Sequence, residues 1–351
     1  MDYLKAVFHE DLSTPGSGMV RVDGGRIHIG ERNWPPHELL EGMGEDAYAE
    51  AFNSWRDERC EALLARADEV LTEFDQTDRF DTLKEAFRRK MVLPFLGAGM
   101  SIPSGYLGWT AFLRRTLADT GLDPAAFEAL LKAGQYEQAA QEVADALGAG
   151  FNERVQAKFG TERDLRGPVQ FLPFLFSDTP VITTNFDNVI KRCFRKREDH
   201  AFEEELYGLS SEELPRYLAE GKRVLLQLHG QGSSPRGRIL TAREYEVAYA
   251  DPALLPRAIR ALCTRTILFV GCSLTVDRVI GELQRFVETE GHDRCARHYA
   301  FLAAPEDPVL RRDRARELER LNIYPVWYPL NEDNEFIEAY FYRLADGVLE
   351  L

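Results

Sequence analysis

The chain has no apolar run long enough to cross a bilayer: the longest, Gln170 to Phe176 and Thr266 to Cys272, fall far short of the roughly 20 residues a spanning helix needs. The N-terminus, MDYLKAVFHEDLSTPGSG, carries acids early and has no continuous apolar segment, so no secretory leader is expected and the protein is expected to be cytoplasmic. Cysteine is scarce as well. There are five, an odd number, with no CxxC pair, which argues against both a disulfide framework and a four-cysteine zinc module. The histidines His9, His28, His37, His200, His292 and His298 fit no HxxxH spacing, and no metal is expected. Positive charge is in deficit: 43 Lys and Arg against 58 Asp and Glu give a formal net charge of −15. Such a field repels phosphate backbones, so no direct nucleic-acid binding is expected.

What is present reads as an ordered enzyme-like body. Apolar residues make up 44% and charged residues 29% of 351 positions, room for one large α/β domain plus a smaller addition. Residues 19 to 29, MVRVDGGRIHI, alternate around Asp23-Gly24-Gly25 in the pattern of a short hairpin. From Glu45 to about Lys90 apolar residues recur at helical spacing, predicting one long helix and a second after Asp78. Residues 1–90 are therefore expected to form a separate hairpin and helical region.

The pattern changes at Val92, where VLPFLG reads as a buried strand running into Gly97-Ala98-Gly99-Met100-Ser101. A helix is expected from Trp109 to Asp119. Helical signals at Ala125–Lys132, Tyr136–Leu147 and Phe151–Phe159 predict a helical insertion over about residues 120–165. Strand-like runs resume at Pro180–Thr183, Arg223–Leu228, Thr266–Val270, Tyr299–Ala303 and Ile323–Tyr328. This alternation predicts a Rossmann-like α/β fold with a doubly wound parallel sheet over residues 91–351. The basic stretch Arg311 to Arg320 reads as a solvated helix face.

A glycine-rich turn between strand and helix lets backbone N–H groups approach a pyrophosphate, and Gly97-Ala98-Gly99 has that context. The dehydrogenase fingerprint GxGxxG would require glycine where Ile102 stands, so that class is disfavoured. The later strands end in polar residues of the kind ligands meet at the carboxyl edge of an open sheet: Thr183-Thr184-Asn185-Phe186-Asp187, His229-Gly230 and Gly271-Cys272-Ser273.

Taken in order, GAGMS, TTNFD, LHG and VGCS resemble the zinc-less, sirtuin-like NAD-cleaving domains of bacteria. That group includes effectors of anti-phage systems such as Thoeris, the defence-associated sirtuins, and the sirtuin-like partners of HerA-type ATPases. The resemblance covers about residues 91 to 330. It implies NAD as substrate, with Gly97, Ala98, Gly99 and Ser101 lining the diphosphate and Thr184 beside them. Asn185 and Asp187 match the Asn-x-Asp motif, His229 the catalytic histidine, and Gly271 and Ser273 a later segment at the adenosine-side ribose. The four zinc cysteines that come after the histidine in protein-deacylating sirtuins are absent here.

These residue types suit cleavage of the nicotinamide glycosidic bond, which builds positive charge on the ribose while nicotinamide leaves neutral. A polar group that holds the ribose and a water, and a base that takes a proton, are the requirements. Asn185 suits the first and His229 the second. Asp187 either orients the sugar and tunes the histidine or caps the helix expected from Val189. Trp109 and Phe112 are expected in the core, and Cys272 as a small buried thiol. Alternatives are a sensor that holds NAD or ADP-ribose without cleaving it, and an NAD-dependent protein deacylase. An NAD-depleting enzyme needs control, and the resemblance implies a homo-oligomer or an activator such as a HerA-type ATPase, with residues 1–90 available for such contacts.

Overall fold

The computed structural model describes residues 2–14, 27–29, 32–208, 213–274, 278–330 and 333–346. Two compact units are present, one of Met1–Asp68 and Glu338–Leu351, the other of Glu69–Ile337. The turn expected at Asp23-Gly24-Gly25 lies outside the described residues. The pairing seen nearby is antiparallel, between β1 (Ile27–Ile29) and β2 (Arg32–Trp34).

The first unit is built on helices Asp2–Ser13, Pro36–Gly42 and most of the long helix Glu45–Glu73. The first of these is not among the helices expected from the sequence, yet its apolar positions Leu4, Phe8 and Leu12 are buried at helical spacing. Phe8 packs against Tyr48, Phe52 and Trp55 with ring centres 5.3–5.7 Å apart. Glu338, 2% exposed, is a buried carboxylate that must be paired, and the Arg59 guanidinium grips it through both oxygens at 3.0 and 3.1 Å.

The second unit carries a sheet of seven parallel strands: β3 (Val92–Leu96), β4 (Val181–Thr183), β5 (Glu204–Tyr207), β6 (Val224–Gln227), β7 (Thr266–Val270), β8 (His298–Ala303) and β9 (Ile323–Tyr328). Their order is β5-β6-β4-β3-β7-β8-β9, every pair parallel. This is the Rossmann-like α/β architecture expected. Helices Pro124–Lys132, Tyr136–Leu147 and Ala149–Phe159 form the helical insertion between β3 and β4. The strands β3, β4 and β6 are buried along their whole length, which is why they read as continuous apolar runs rather than alternations.

Pro94 sits inside central β3, where a missing N–H would normally break a ladder. The β4 register opens only at Phe95↔Ile182, and Gly97 N–H points to Val270 on the β7 side, so by alternation Pro94 faces the β4 side before that ladder begins. The strand β5, formed from the acidic run Glu203-Glu204-Glu205-Leu206-Tyr207, is an addition to the strands expected. Among the described residues it is an edge strand beside β6, and Glu204 pairs with Lys222 at 2.9 Å while Glu205 pairs with Lys191 and Arg195. Among the described residues no helix is long and apolar enough to cross a membrane.

Candidate functional site

The chain builds β3 at the sheet centre, moves outward through β4, β5 and β6, and returns to β7 on the other side of β3. That reversal opens a crevice at the carboxyl ends of the strands, the usual ligand position in such sheets. A cleft of about 1370 Å³ lies there, wholly within the second unit. Gly97, Ala98, Gly99, Thr184, Asn185, Asp187, His229, Gly271 and Ser273 all line it.

The glycine turn is held by an interlock with Gly271. Gly97 N–H donates to the Val270 carbonyl and Gly99 N–H to the Gly271 carbonyl, both at 2.9 Å. A Cβ on Gly97 would fall 2.4 Å from the Gly271 oxygen, and one on Gly271, whose φ is +67°, would fall 2.7 Å from the Met100 nitrogen. Glycine is required here for backbone approach before any ligand is considered. Two of the turn's amides are already committed to the fold, so the diphosphate role expected for this turn does not draw on them.

The next layer is a buried polar chain. Thr183 Oγ1 donates to the Leu96 carbonyl at 2.8 Å and accepts from Asn185 N–H at 3.0 Å. The Asn185 carboxamide donates to the Gly97 carbonyl and to Ser101 Oγ, each at 3.0 Å. The Gly97 carbonyl can only accept, which fixes the nitrogen on that side and leaves the carboxamide oxygen as what Asn185 offers a ligand. Ser101 Oγ donates in turn to Asp187 Oδ1 at 3.0 Å. Ser101 is 1% exposed and is not among the cleft-lining residues; it stands behind the cleft and joins Asn185 to Asp187. Gln227, 2% exposed, closes the layer by donating to the carbonyls of Asn185 and Asp187 at 3.2 and 3.1 Å.

Asp187 stands two residues before the first residue of helix Val189–Arg195, whose N-cap position is Asn188. The Asp187 Oδ1 accepts from Val189 N–H at 3.0 Å, at the start of that helix, and the side chain also lines the cleft. Burial pushes its carboxyl up to about 6, against the pull of the Val189 and Ser101 hydrogen bonds.

His229 lies just past β6. It is enclosed by Phe186, with ring centres 6.1 Å apart, and by Tyr245, at 5.7 Å and 71°. Burial pushes its imidazolium down to about 4, so the ring is neutral at physiological pH. Its Nε2 lies 3.3 Å from the Tyr245 hydroxyl. Tyr245, Arg278 and Glu137 also line the cleft, and sequence reasoning misses all three. Each comes from a helix, and no strand-end signal marks them. Trp109 lines the cleft while packing on Phe186 at 5.6 Å, whereas Phe112 is core. Cys272 is half-buried at the cleft wall, its Sγ 3.5 Å from the Phe95 carbonyl. Among the described residues no group of three or more His, Cys, Asp or Glu is placed to hold a metal ion.

Fold and cleft thus define a parallel α/β protein with a cleft at the point where its strand order reverses. Residues 179–326 match the family model described as SIR2-like domain. That segment contains Asn185, Asp187, His229, Gly271 and Ser273, and the fold brings Gly97–Ser101, which precede it, to the same place. The chain is similar to the NAD(+) hydrolase ThsA of Enterococcus faecium, 25% identical over 205 residues, which are 57% of this chain and 41% of that protein. The Bacillus cereus (strain MSX-D12) protein of the same name is 26% identical over 233 residues, 64% of this chain and 46% of the relative. A third, from Acinetobacter baumannii (strain 532279), is 26% identical over 206 residues. The match spans less than half the length of each of these curated relatives. Together these likenesses support a sirtuin-like domain related to NAD-cleaving proteins.

Proposed function

We infer that the second unit hydrolyses NAD at the bond between nicotinamide and ribose, giving nicotinamide and ADP-ribose. The observation that carries this reading is the convergence of Asn185, Asp187 and His229 with the Gly97–Gly271 interlock in one cleft, in a chain similar to NAD(+) hydrolases. As the C–N bond lengthens, its electron pair leaves with nicotinamide and the ribose carbon becomes electron-poor. The Asn185 carboxamide oxygen, oriented by Gly97 and Ser101, accepts a hydrogen bond from the attacking water or a ribose hydroxyl. His229, neutral in its aromatic enclosure, takes the proton as the water oxygen bonds to carbon, so one proton is released per NAD cleaved. The ionised Asp187 favours positive charge on the ribose.

The finer reading is an anti-phage effector that causes abortive infection by depleting NAD, cytoplasmic and using no metal. In that reading residues 1–90 contact other copies of the chain or an activator of the HerA-type ATPase kind. It rests on the resemblance to defence-associated proteins. NAD consumption by the purified chain, with NADP in parallel, tests the activity. Nicotinamide release that disappears in Asn185→Ala and His229→Ala, both folded by circular dichroism, is the expected result. Binding of NAD without release, with or without added activators, points to the sensor. Release that requires an acyl-lysine peptide points to the deacylase.

A further inference from the structure

Between His229 and Tyr245 the chain makes an excursion that closes back on the histidine. Ile239 N–H donates to the His229 carbonyl at 2.9 Å. Gly230, with φ +73°, lies so near the returning strand of chain that a Cβ would fall 2.4 Å from the Gly237 oxygen. The excursion then enters helix Ala242–Ala248 through a complete capping box: Thr241 Oγ1 accepts from Glu244 N–H, and Glu244 Oε2 accepts from Thr241 N–H at 3.0 Å. The other Glu244 oxygen receives Arg238 at 2.7 Å, and Arg238, 5% exposed, also donates to Asn152 at 2.7 Å. A helix start this firmly held fixes the direction in which Tyr245 projects.

Tyr245 is 7% exposed, and its far face is fixed too. The Arg278 guanidinium stands 4.9 Å from its ring centre, and Arg278 is gripped by both Glu137 oxygens at 2.9 and 2.7 Å. Four separate segments, carrying Asn152, Arg238 with Glu244, Arg278 and Glu137, converge to place one phenol oxygen at His229 Nε2.

We propose that Tyr245 is a positioning residue for His229: its oxygen accepts the Nε2 proton and so holds the imidazole in the tautomer whose bare nitrogen is Nδ1. The inference rests on reading His229 as the proton acceptor. A neutral imidazole has one N–H and one bare nitrogen, and the hydrogen bond made by one decides what the other can do. In serine hydrolases a carboxylate orients the histidine in this way. A carboxylate can only accept, whereas a phenol oxygen can donate or accept; in the accepting role it gives the same orientation without placing a second anionic group beside the ring.

Long-range ¹H–¹⁵N correlation spectra of the full chain, with ring nitrogens labelled, read the tautomer directly. The His229 signals are assigned by their disappearance in His229→Ala. The expected spectrum shows Nε2 protonated and Nδ1 bare at neutral pH, changing to mixed or reversed tautomers in Tyr245→Phe. Protonated Nδ1 in the parent protein, or a pattern unchanged by Tyr245→Phe, overturns the proposal, and the first of these needs no variant. In turnover, Tyr245→Phe should lower kcat about ten- to a hundredfold, the order of loss expected when a reacting group is displaced, with KM for NAD little changed. Because the spectra need no substrate, a tautomer that responds to Tyr245 in a protein that cleaves no NAD would keep the positioning role and discard the hydrolase reading.

Discussion

The two walls of the cleft are made by opposite means. The wall at β3 and β4 is a chain of short hydrogen bonds through Thr183, Asn185, Ser101, Asp187 and Gln227, all nearly sealed from water. The wall past β6 is aromatic, with His229 between Phe186 and Tyr245 and, among the described residues, one long hydrogen bond to its ring. A connected polar wall orients groups and couples them to stability. An aromatic wall tunes a proton affinity by desolvation and leaves the ring's orientation to few contacts. The result is an inverted order of proton uptake, with the carboxyl of Asp187 near 6 and the imidazole of His229 near 4.

Substitutions can separate the walls. His229→Ala should lower NAD turnover about 10²–10⁴-fold with only a small change in melting temperature, whereas Asn185→Asp should reduce both. A carboxylate at position 185 would face the Gly97 carbonyl with no donor. If the two variants lose stability equally, the contrast between the walls fails.

Ser101→Ala removes the link between Asn185 and Asp187 and should cost on the order of 1–3 kcal/mol, the penalty of stranding buried polar groups. Denaturant unfolding measures this, and a cost near zero would mean that water replaces the hydroxyl. The expected loss of activity comes through a loosened Asn185 rather than a lost ligand contact.

Asp187→Asn should show a pH signature. In the folded chain the carboxyl holds its proton up to about 6, while unfolded it releases it near 4. Between those values the folded state holds more protons, so this group makes the protein less stable as pH rises from 4 to 6, and the cost is fully present above 6. The asparagine variant should therefore gain stability relative to the parent at pH 7.5 and lose that gain towards pH 4. Melting curves at the two pH values check the sign.

The smallest effect is expected at Thr241→Ala, which opens the capping box behind Tyr245 and should cost about 1 kcal/mol. A modest fall in kcat alongside it would tie the cap to His229. Unchanged turnover would confine the cap to local helix stability.

The strand-end residues were legible because a fully buried parallel strand is a short apolar run, and the residues just after such a run lie at the sheet's ligand edge. That rule marks Asn185, Asp187 and His229 as residues of the ligand edge, and the resemblance of GAGMS, TTNFD, LHG and VGCS to sirtuin-like domains singles them out. The strand β5 was hidden because an edge strand laced with ion pairs has no apolar signature, and helix Asp2–Ser13 because a single short helix is a weak pattern. Ser101 was legible as a residue of the glycine turn but its hydrogen bonds to Asn185 and Asp187 were not, since a side chain just past the glycines can point behind the cleft. Tyr245, Arg278 and Glu137 were illegible for a deeper reason. Helical periodicity states which face is buried, not which neighbour it meets.

The Gly97–Gly271 interlock also bears on biogenesis. The amides of Gly97 and Gly99 wait for carbonyls at Val270 and Gly271, which leave the ribosome long after Asn185 and His229 have been made. A nascent or prematurely ended chain can therefore carry the chemical groups and still lack the turn that closes the cleft, so that competence arrives only when the central strand pair is complete.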